Sequence, residues 1–386
     1  MNVVMLSPHF PPNYYNFCAQ LRRLGVTVLG LADEPYELLR PALKDALVEY
    51  YRVDDMHNYD QVLRGCGYFT HRYGKLDRVE SHNEYWLETD ARLRTDFNIY
   101  GVNNEEIKNI RLKSRMKRVF AKAGVAVARG ALVHDVTQAR RFIKEVGYPV
   151  VAKPDAGVGA AATFKIHTPQ ELDAFFAQKP NVDYIMEEFI DGQICTFDGL
   201  TDRAGTPVFY TSHQYSQGVM ETVNDLLDIY YYSLREIPKD LEEAGRRTLI
   251  AFDVRERFFH MEFFRTSSGQ LVALEVNMRP PGGLTMEMFN YANDLDMYRE
   301  WANIVAFDRF TTDYSRPYHC AYIGRRFAST YRHSDPEILH ELGHLILYHD
   351  RIDYIFSGAL GDYGYLVRSP DLEEIKSIVR FILDKE

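Results

Sequence analysis

The sequence has few of the features that mark membrane, secreted or nucleic-acid-binding proteins. It has four cysteines in 386 residues and no CxxC pair, and such scattered thiols are typical of a reducing compartment. No apolar run approaches the roughly 18 residues of a membrane span, and the N-terminal MNVVMLSPHF has no basic segment before its short apolar stretch. A net charge of -10 argues against binding to nucleic acid. We therefore expect a cytoplasmic protein with neither a membrane nor a nucleic-acid partner.

The chain also lacks a dinucleotide fingerprint, although it begins in a β-α-β order. Residues 2–6 predict a strand, 15–24 an amphipathic helix and 26–31 a second strand, and this alternation continues to about residue 100. The loop after the first strand reads SPHFPP and not GxGxxG. We expect a small parallel α/β domain here, followed by one basic helix that runs from Glu105 to a C-cap at Gly124. Further helices are predicted near 137–146, 169–177 and 240–250, with one after the PPGG turn and one in the tail beyond about residue 310.

Residues 260–283, HMEFFRTSSGQLVALEVNMRPPGG, predict a β-hairpin with an acidic face. If the turn is centred on 268–269, Glu262 faces Glu275, and the period of two places Asn277 on the same face. Two like charges directly opposite each other destabilise a sheet. Two carboxylates and an amide oxygen suit magnesium, which is held by a few protein oxygens plus substrate phosphates. The alternative is a solvated face whose acidic residues share no role. The same register predicts the pairs Phe264–Ala273 and Thr266–Leu271.

Two further stretches carry weaker signals. In VVAKPDAGVGAAATFKI, Lys153 ends a strand and is followed by Gly157 and Gly159. Small residues allow backbone N–H groups to approach phosphate oxygens closely, and they allow a loop to close. The loop does not end in GK[ST], so it is not a Walker A loop, and a plain glycine-alanine turn remains the alternative. In YIMEEFIDGQ, an acidic strand end runs into a turn whose backbone can hydrogen-bond an adenine edge.

The order of these motifs resembles the ATP-grasp superfamily, in the branch that includes biotin carboxylases, carbamoyl-phosphate synthetases and carboxylate–amine ligases. A lysine in a basic helix before AGV, a lysine before a Gly-rich loop, EEFI, and E…ExNxRP occur in sequence over roughly residues 105–310. The resemblance implies an α/β chain with an ATP-grasp fold after a small parallel, Rossmann-like domain. The implied domains are 1–105, 106–310 with sub-lobes of about 106–190 and 191–310, and a small C-terminal α/β region at 311–386.

The resemblance also implies a role for each matching residue. Residues 155–162 would form a lid over the ATP phosphates. Magnesium, for which manganese could substitute, would be held by Glu262, Glu275 and Asn277, and Arg279 would stabilise the transferred phosphoryl group. The ATP-binding residues implied in this way are Lys113, Lys153, Gly157, Gly159, Glu187, Glu188 and Ile190.

The implied reaction uses ATP to convert a small-molecule carboxylate into an acyl phosphate, releasing ADP, before an amine or similar nucleophile displaces phosphate. One position departs from the family pattern. Ile194 stands where many members have a second acidic residue for the ribose hydroxyls, and Gln193 is the substitute that the sequence offers. The oligomeric state is open, and a homo-oligomer is compatible with the sequence.

Three other functions remain open at the level of sequence. One is a partner-dependent biotin carboxylase-like subunit, since no biotin-attachment domain is recognisable, and another is a non-catalytic nucleotide-binding module. The third is a zinc hydrolase, because HELGH places His340 and His344 one turn apart if the helix continues through Gly343. Separately, Arg325 and Arg326 could hold a substrate carboxylate or form a surface pair.

Overall fold

The computed structural model describes residues 1–157, 162–216, 218 and 227–385, and these residues form three β-sheets surrounded by helices. The strands are β1 (Asn2–Leu6), β2 (Thr27–Ala32), β3 (Glu49–Arg52), β4 (Arg78–Glu80), β5 (Gly130–Val133), β6 (Val150–Pro154), β7 (Phe164–Ile166), β8 (Tyr184–Glu188), β9 (Gly192–Thr201), β10 (Pro207–Thr211), β11 (His213–Tyr215), β12 (Ile229–Ser233), β13 (Phe258–Thr266), β14 (Leu271–Asn277), β15 (His319–Arg325), β16 (Ile346–Arg351) and β17 (Tyr363–Ser369).

The helices of the described residues are mostly short and alternate with these strands. They are α1 (Tyr15–Arg23), α2 (Pro41–Ala46), α3 (Tyr59–Tyr73), α4 (Leu87–Asp96), α5 (Ile107–Arg111), α6 (Lys113–Lys122), α7 (Val136–Val146), α8 (Pro169–Gln178), α9 (Lys239–Ala251), α10 (Thr285–Asn293), α11 (Met297–Phe307), α12 (Asp335–Leu342), α13 (Tyr354–Leu360) and α14 (Leu372–Ile382), with 3-10 turns at Tyr36–Leu38 and Glu84–Trp86. Within the described ranges, none of them has both the length and the apolar character needed to cross a membrane.

The first sheet is parallel, with strand order β3-β2-β1-β4, as the N-terminal alternation predicts. Its two central strands, β1 and β2, are mostly apolar, and side chains such as Val4, Leu29 and Val79 are fully buried under the flanking helices. The carboxyl ends of β1 and β4 lie side by side. Ligands of open α/β sheets bind at this edge, and the loops that begin at Ser7 and Ser81 both start there.

The second sheet is antiparallel, with order β5-β8-β6-β7, and one of its faces is covered by α7 and α8. Because side chains alternate along a strand, Ala152 and Met186 point into that helical layer. Their neighbours Lys153 and Glu187 therefore share the opposite face, where both are buried. The strand pattern thus places a lysine and a carboxylate together on the side away from the helices.

The third sheet runs in the order β14-β13-β9-β11-β12-β15-β17-β16, with β10 added beside β9. Its strands come from both sides of residue 310, because β12 pairs with β15 in the register Ile229↔Gly324. The sheet is therefore continuous across the expected boundary of the C-terminal region. The domain division at residues 105, 190 and 310 stays a prediction.

Three of the predicted helical segments differ from those observed. The single basic helix at 105–124 is two helices, α5 and α6, because Leu112 between them is extended. The one helix expected after PPGG is also two, separated by left-handed Asp294 and restarted by Asp296, whose side chain caps α11. The tail contains three helices and not one, each begun by a polar cap at Ser334, Asp353 or Asp371.

Candidate active site

The hairpin β13–β14 brings Glu262 and Glu275 directly opposite each other, which confirms the predicted pair. A β-bulge between Glu262 and Phe263 shifts the rest of the ladder by one residue. The predicted partners of Phe264 and Thr266 are therefore wrong, and Phe264 faces Val272. The bulge lies on the turn side of the acidic pair, so Asn277 keeps the face of Glu275 and pairs with His260.

The two hairpin carboxylates are partly accessible, with side-chain exposures of 20% for Glu262 and 23% for Glu275. Different cations approach them, since Lys113 Nζ lies 3.6 Å from Glu275 Oε1 and His260 Nε2 lies 3.1 Å from Glu262 Oε1. Burial raises the pKa of Glu275, and nearby Glu84 and Glu262 raise it further against the opposing effect of Lys113. The negative charge of the two carboxylates is therefore only partly balanced by the nearby cations.

A buried network behind Glu262 was not foreseen from the sequence. Asp198 on β9 accepts from His260 Nδ1 at 2.6 Å and from His213 Nδ1 at 2.7 Å. Burial lowers the pKa of His260 and raises that of Asp198, but the attraction between the carboxylate and the imidazole rings outweighs burial. The pKa of His260 therefore rises to about 10 and that of Asp198 falls to about 2. The cationic ring of His260 can thus hold the Glu262 carboxylate in place. Its signal was local, because His260 precedes Glu262 by two positions and so shares its face.

The two predicted phosphate-binding lysines lie in the same cleft as the hairpin. Lys153 Nζ is 2.9 Å from Glu187 Oε2, and Lys117 contacts the other oxygen of that carboxylate at 2.8 Å. Burial lowers the pKa of Lys153, but Glu187 and the hairpin carboxylates outweigh it and the pKa is raised. Lys113 also donates to the Gly157 carbonyl at 3.5 Å. The structure therefore brings Lys113, Lys153 and the acidic pair together between the second and third sheets.

The expected adenine segment lies at the end of β8, beside this cleft. Glu187 is buried in its ion pairs, whereas Glu188 accepts from the Arg129 backbone and side chain, each at 2.7 Å. Ile190 is partly buried in the connection to β9. The Glu188 backbone N–H also donates to the Arg129 carbonyl at 3.0 Å, and the adenine role of the segment remains a prediction.

The lid and the ribose position are less completely defined. Gly157 is described, but Gly159 and the rest of 158–161 lie outside the described residues. Ile194 is 5% exposed and belongs to the interior of the third sheet. Gln193 donates to the Tyr215 carbonyl at 3.3 Å, so its side-chain amide is already hydrogen-bonded within the protein.

Arg279 lies just beyond the hairpin, because β14 ends at Asn277 and Arg279 follows in a bend. Its guanidinium donates to Glu84 Oε2 at 2.5 Å and to the Pro280 carbonyl at 3.0 Å. Glu84 comes from the loop after β4 and also contacts Arg111 at 3.1 Å. The sequence reading missed Glu84, and the available signal was its place beyond the carboxyl end of a parallel strand.

Two other sequence expectations are corrected. Arg325 and Arg326 are not a surface pair, since each is only 6% exposed. Arg325 binds Asp335 at 2.7 Å, and Arg326 donates to backbone carbonyls at the end of α13. The HELGH segment does not form one helical face, because α12 ends at Leu342. Among the described residues no group of three or more His, Cys, Asp or Glu side chains could hold a metal ion, so nothing favours the zinc hydrolase.

A cavity of about 1060 Å³ opens outside the cleft, between the loop at 98–106 and the end of α9. Its lining is rich in asparagine and contains none of the predicted site residues. Because paired carboxylates and lysines occur in the cleft and not in this cavity, we place the candidate active site in the cleft.

Comparison with known proteins assigns the class of this fold. Residues 146–287 match the family model described as an ATP-grasp domain. This chain therefore carries an ATP-grasp domain, and the resemblance based on its motifs is confirmed. The mixed fold is confirmed as well, with a parallel N-terminal sheet before the antiparallel ATP-grasp sheets.

The similar proteins include two that are named as L-amino acid ligases. The chain is 24% identical over 263 residues to an L-arginine-specific L-amino acid ligase of Bacillus subtilis, a match that covers 66% of this chain and 63% of that protein. An L-amino acid ligase from Bacillus licheniformis superposes with a TM-score of 0.73 at 14% identity, covering 98% of this chain and 96% of that one. An N5-carboxyaminoimidazole synthetase from Staphylococcus aureus gives 0.71 at 15%, covering 99% and 97%. At these identities the structures show a shared fold.

Proposed function

We propose that this protein is an ATP- and magnesium-dependent ligase that activates a small-molecule carboxylate as an acyl phosphate, releases ADP, and joins the acyl group to an amine or similar nucleophile. The observation that carries the proposal is the meeting of Glu262 and Glu275 with Lys113, Lys153 and Arg279 in one cleft. The names of the relatives support ligase chemistry on small carboxylates and amines.

The residues present fit magnesium. The donor set consists of two carboxylates and the amide of Asn277, which are hard oxygen ligands. The two carboxylates face each other while the charge near Glu275 is incompletely balanced. Magnesium, when bound, would supply positive charge to the terminal phosphates. In this proposal Glu262, Glu275 and Asn277 hold it, and His260 keeps Glu262 oriented toward it.

The side chains of the cleft would carry the first step mainly by position and charge. Phosphoryl transfer needs its reacting groups aligned and the developing negative charge neutralised. Lys113 and Lys153 would bind the phosphate oxygens, and the fork of Arg279 would bind the oxygens of the transferred group. No general base is needed, because the attacking carboxylate is already an anion.

The proposal is tested with purified protein, ATP, magnesium and a panel of carboxylates, with and without amines. We expect ADP and phosphate as products, and hydroxylamine should convert the acyl phosphate into a hydroxamate. AMP and pyrophosphate would instead indicate an adenylating enzyme. ATP binding without turnover on any carboxylate would indicate a nucleotide-binding module, and turnover only with bicarbonate and a biotinylated partner would indicate a carboxylase subunit.

A further inference from the structure

Glu287 is a recessed carboxylate that has hydrogen bonds but no cationic partner within the described part of the chain. It lies in the first turn of α10, four residues after the last glycine of PPGG, and its side chain is partly exposed. Asn13 Nδ2 lies 3.0 and 3.1 Å from its two oxygens, and the Tyr298 hydroxyl donates to Oε1 at 2.6 Å. Among the described residues no lysine, arginine or histidine pairs with it.

The other carboxylates of the cleft differ in this respect. Glu84 binds Arg279, Glu275 lies beside Lys113, and Glu262 lies beside His260. At Glu287 burial raises the carboxyl pKa, and only neutral hydrogen-bond donors oppose that effect. A buried carboxylate is costly unless an opposite charge accompanies it. A cation supplied by a ligand would complete this position.

The surroundings of Glu287 suit an ammonium group. An ammonium group donates hydrogen bonds to carboxylates and to tyrosine hydroxyl oxygens. Five tyrosine hydroxyls lie close enough for the charge of Glu287 to raise their pKa values. They are Tyr14, Tyr231, Tyr291, Tyr298 and Tyr348.

Glu287 also lies near Arg279, the guanidinium that would bind the phosphoryl group transferred to the reacting carboxylate. Burial has the largest effect on the pKa of Tyr14 and raises it, whereas Arg279 lowers it and Glu287 raises it further. Its hydroxyl also donates to the Pro280 carbonyl at 3.5 Å, next to Arg279. A cationic group and an anionic group thus both lie near the Tyr14 hydroxyl. A molecule with a carboxylate at one end and an ammonium at the other matches this arrangement.

We propose that Glu287 binds the ammonium group of the substrate whose carboxylate is activated, so that this substrate is an amino acid and not a simple carboxylic acid. The inference rests on the proposed ligase function and names the substrate class of the same cleft. Asn13 and Tyr298 act as positioning residues that hold the Glu287 carboxylate toward the ligand.

The test compares each amino acid with the same carboxylic acid lacking the amine, for example alanine with propionate and 4-aminobutyrate with butyrate. Hydroxamate formation gives kcat/KM for each, and the position of the amine in the best substrate reports the span from Arg279 to Glu287. We expect at least tenfold higher kcat/KM for the preferred amino acid. Glu287→Gln should raise KM for the amino acid at least tenfold and abolish this preference, with the KM for ATP unchanged.

Two further variants separate charge from structure. Glu300→Gln alters a fully buried, hydrogen-bonded carboxylate on the neighbouring helix α11, which accepts from Thr311 and Thr312, and should leave the preference intact. Glu287→Asp retains the charge and should retain part of the preference. If circular dichroism shows that Glu287→Gln is unfolded, the comparison of substrates with the wild type and the kinetics of Glu287→Asp still test the ammonium site.

The outcomes distinguish the two proposals. Equal kcat/KM for amino acids and their des-amino analogues, or an unchanged preference in folded Glu287→Gln, would overturn the ammonium site while leaving the ligase function standing. If no carboxylate supports ADP release, the ligase proposal fails instead. Calorimetric titration of the same pairs into the magnesium–ADP complex then tests the site by binding, where equal affinities would reject it.

Discussion

Glu275 stands between an acidic partner and a lysine, and this position defines what its charge does. Glu262 faces it across the ladder and Lys113 approaches its Oε1. Without metal, its negative charge is repelled by one neighbour and attracted by the other. With metal, both carboxylates would become ligands. The contribution of Glu275 to stability should therefore be small and its contribution to turnover large.

Glu275→Gln should lower magnesium-dependent ATP turnover by about 100-fold, because a charged ligand is replaced by a neutral amide. In the absence of magnesium its stability should stay within about 1 kcal/mol of the wild type, since a cross-strand repulsion and a lysine contact are lost together. Turnover and urea unfolding measure the two effects. Glu242→Gln, on the exposed side of α9 beside Arg246, is the control. Unchanged turnover in Glu275→Gln would reject the metal-site assignment.

Arg279 depends on its planar fork, because it contacts Glu84 and a backbone carbonyl at once. Arg279→Lys keeps the charge but cannot make both contacts. We expect kcat to fall about 100-fold with little change in the KM for ATP. Arg111→Lys, which alters the other arginine on Glu84, should affect kcat far less. Equal losses in kcat and ATP affinity would show that Arg279 acts in nucleotide binding instead.

At the scale of elements, the break at Leu112 determines where Lys113 points. The Lys113 backbone N–H donates to the Asp155 carbonyl at 2.9 Å, and the Asp155 carboxylate accepts from Ser114 N and Oγ at 2.7 and 2.8 Å. These contacts satisfy the backbone N–H groups of Lys113 and Ser114 at the start of α6. In one continuous helix the same N–H groups would bond within the helix. Asp155, which directly follows β6 and begins the predicted lid, thus also contacts the start of the helix that carries Lys113.

Asp155→Ala should destabilise the protein by about 1 kcal/mol, the usual cost of losing a helix cap. It should also raise the KM for ATP, because Lys113 loses its fixed orientation. Asp135→Ala is the matched control, since Asp135 caps α7 through Gln138 N at 2.8 Å and lies away from the cleft. Thermal unfolding and ATP kinetics compare the two. If both variants change the KM for ATP equally, the link between Asp155 and Lys113 is refuted.

At the scale of the whole molecule, one buried carboxylate joins the N-terminal sheet to the third sheet. Glu80 at the end of β4 accepts from Arg78, Arg94 and Arg257 at 3.1, 3.0 and 2.8 Å. Arg257 also donates to the Met278 carbonyl beside Arg279. Burial raises the pKa of Glu80, but the three guanidinium groups outweigh it and hold the pKa far below its ordinary value.

Glu80→Gln should destabilise the protein by about 3 kcal/mol, because it leaves buried arginines without their counter-charge. A carboxyl whose pKa is lowered on folding stabilises the protein above its unfolded pKa, and that stability is lost as the pH falls. The wild type should therefore lose stability below about pH 4.5, and the deficit of the variant should shrink over the same range. Urea unfolding from pH 7 to 3 measures this. Asp60→Asn, which alters an exposed pair with Arg64, should change the free energy of unfolding little. If the stability deficit of Glu80→Gln stays constant from pH 7 to 3, the role assigned to Glu80 is contradicted.

Sequence reasoning reached most of the site because its signals were local. The pairing of Glu262 with Glu275 follows from a turn and a period of two, and both residues belong to one hairpin that is continuous along the chain. The bulge at Phe263 was not predicted, since no glycine or other local marker announces it. Lys153 and Glu187 were each recognised, but their ion pair was not, because it forms between two strands of a sheet.

The sequence by itself determined the strands, the acidic hairpin face and the order of motifs that indicates an ATP-grasp domain. These depend on alternation, caps and turns, which act over a few residues. Only the tertiary structure decided that Glu84 holds Arg279, which lies 195 residues away, and that Asp155 contacts the start of α6. It also decided that no lysine, arginine or histidine among the described residues pairs with Glu287. Such features depend on burial and on charges contributed by separate sheets, so they exist only once the chain has folded.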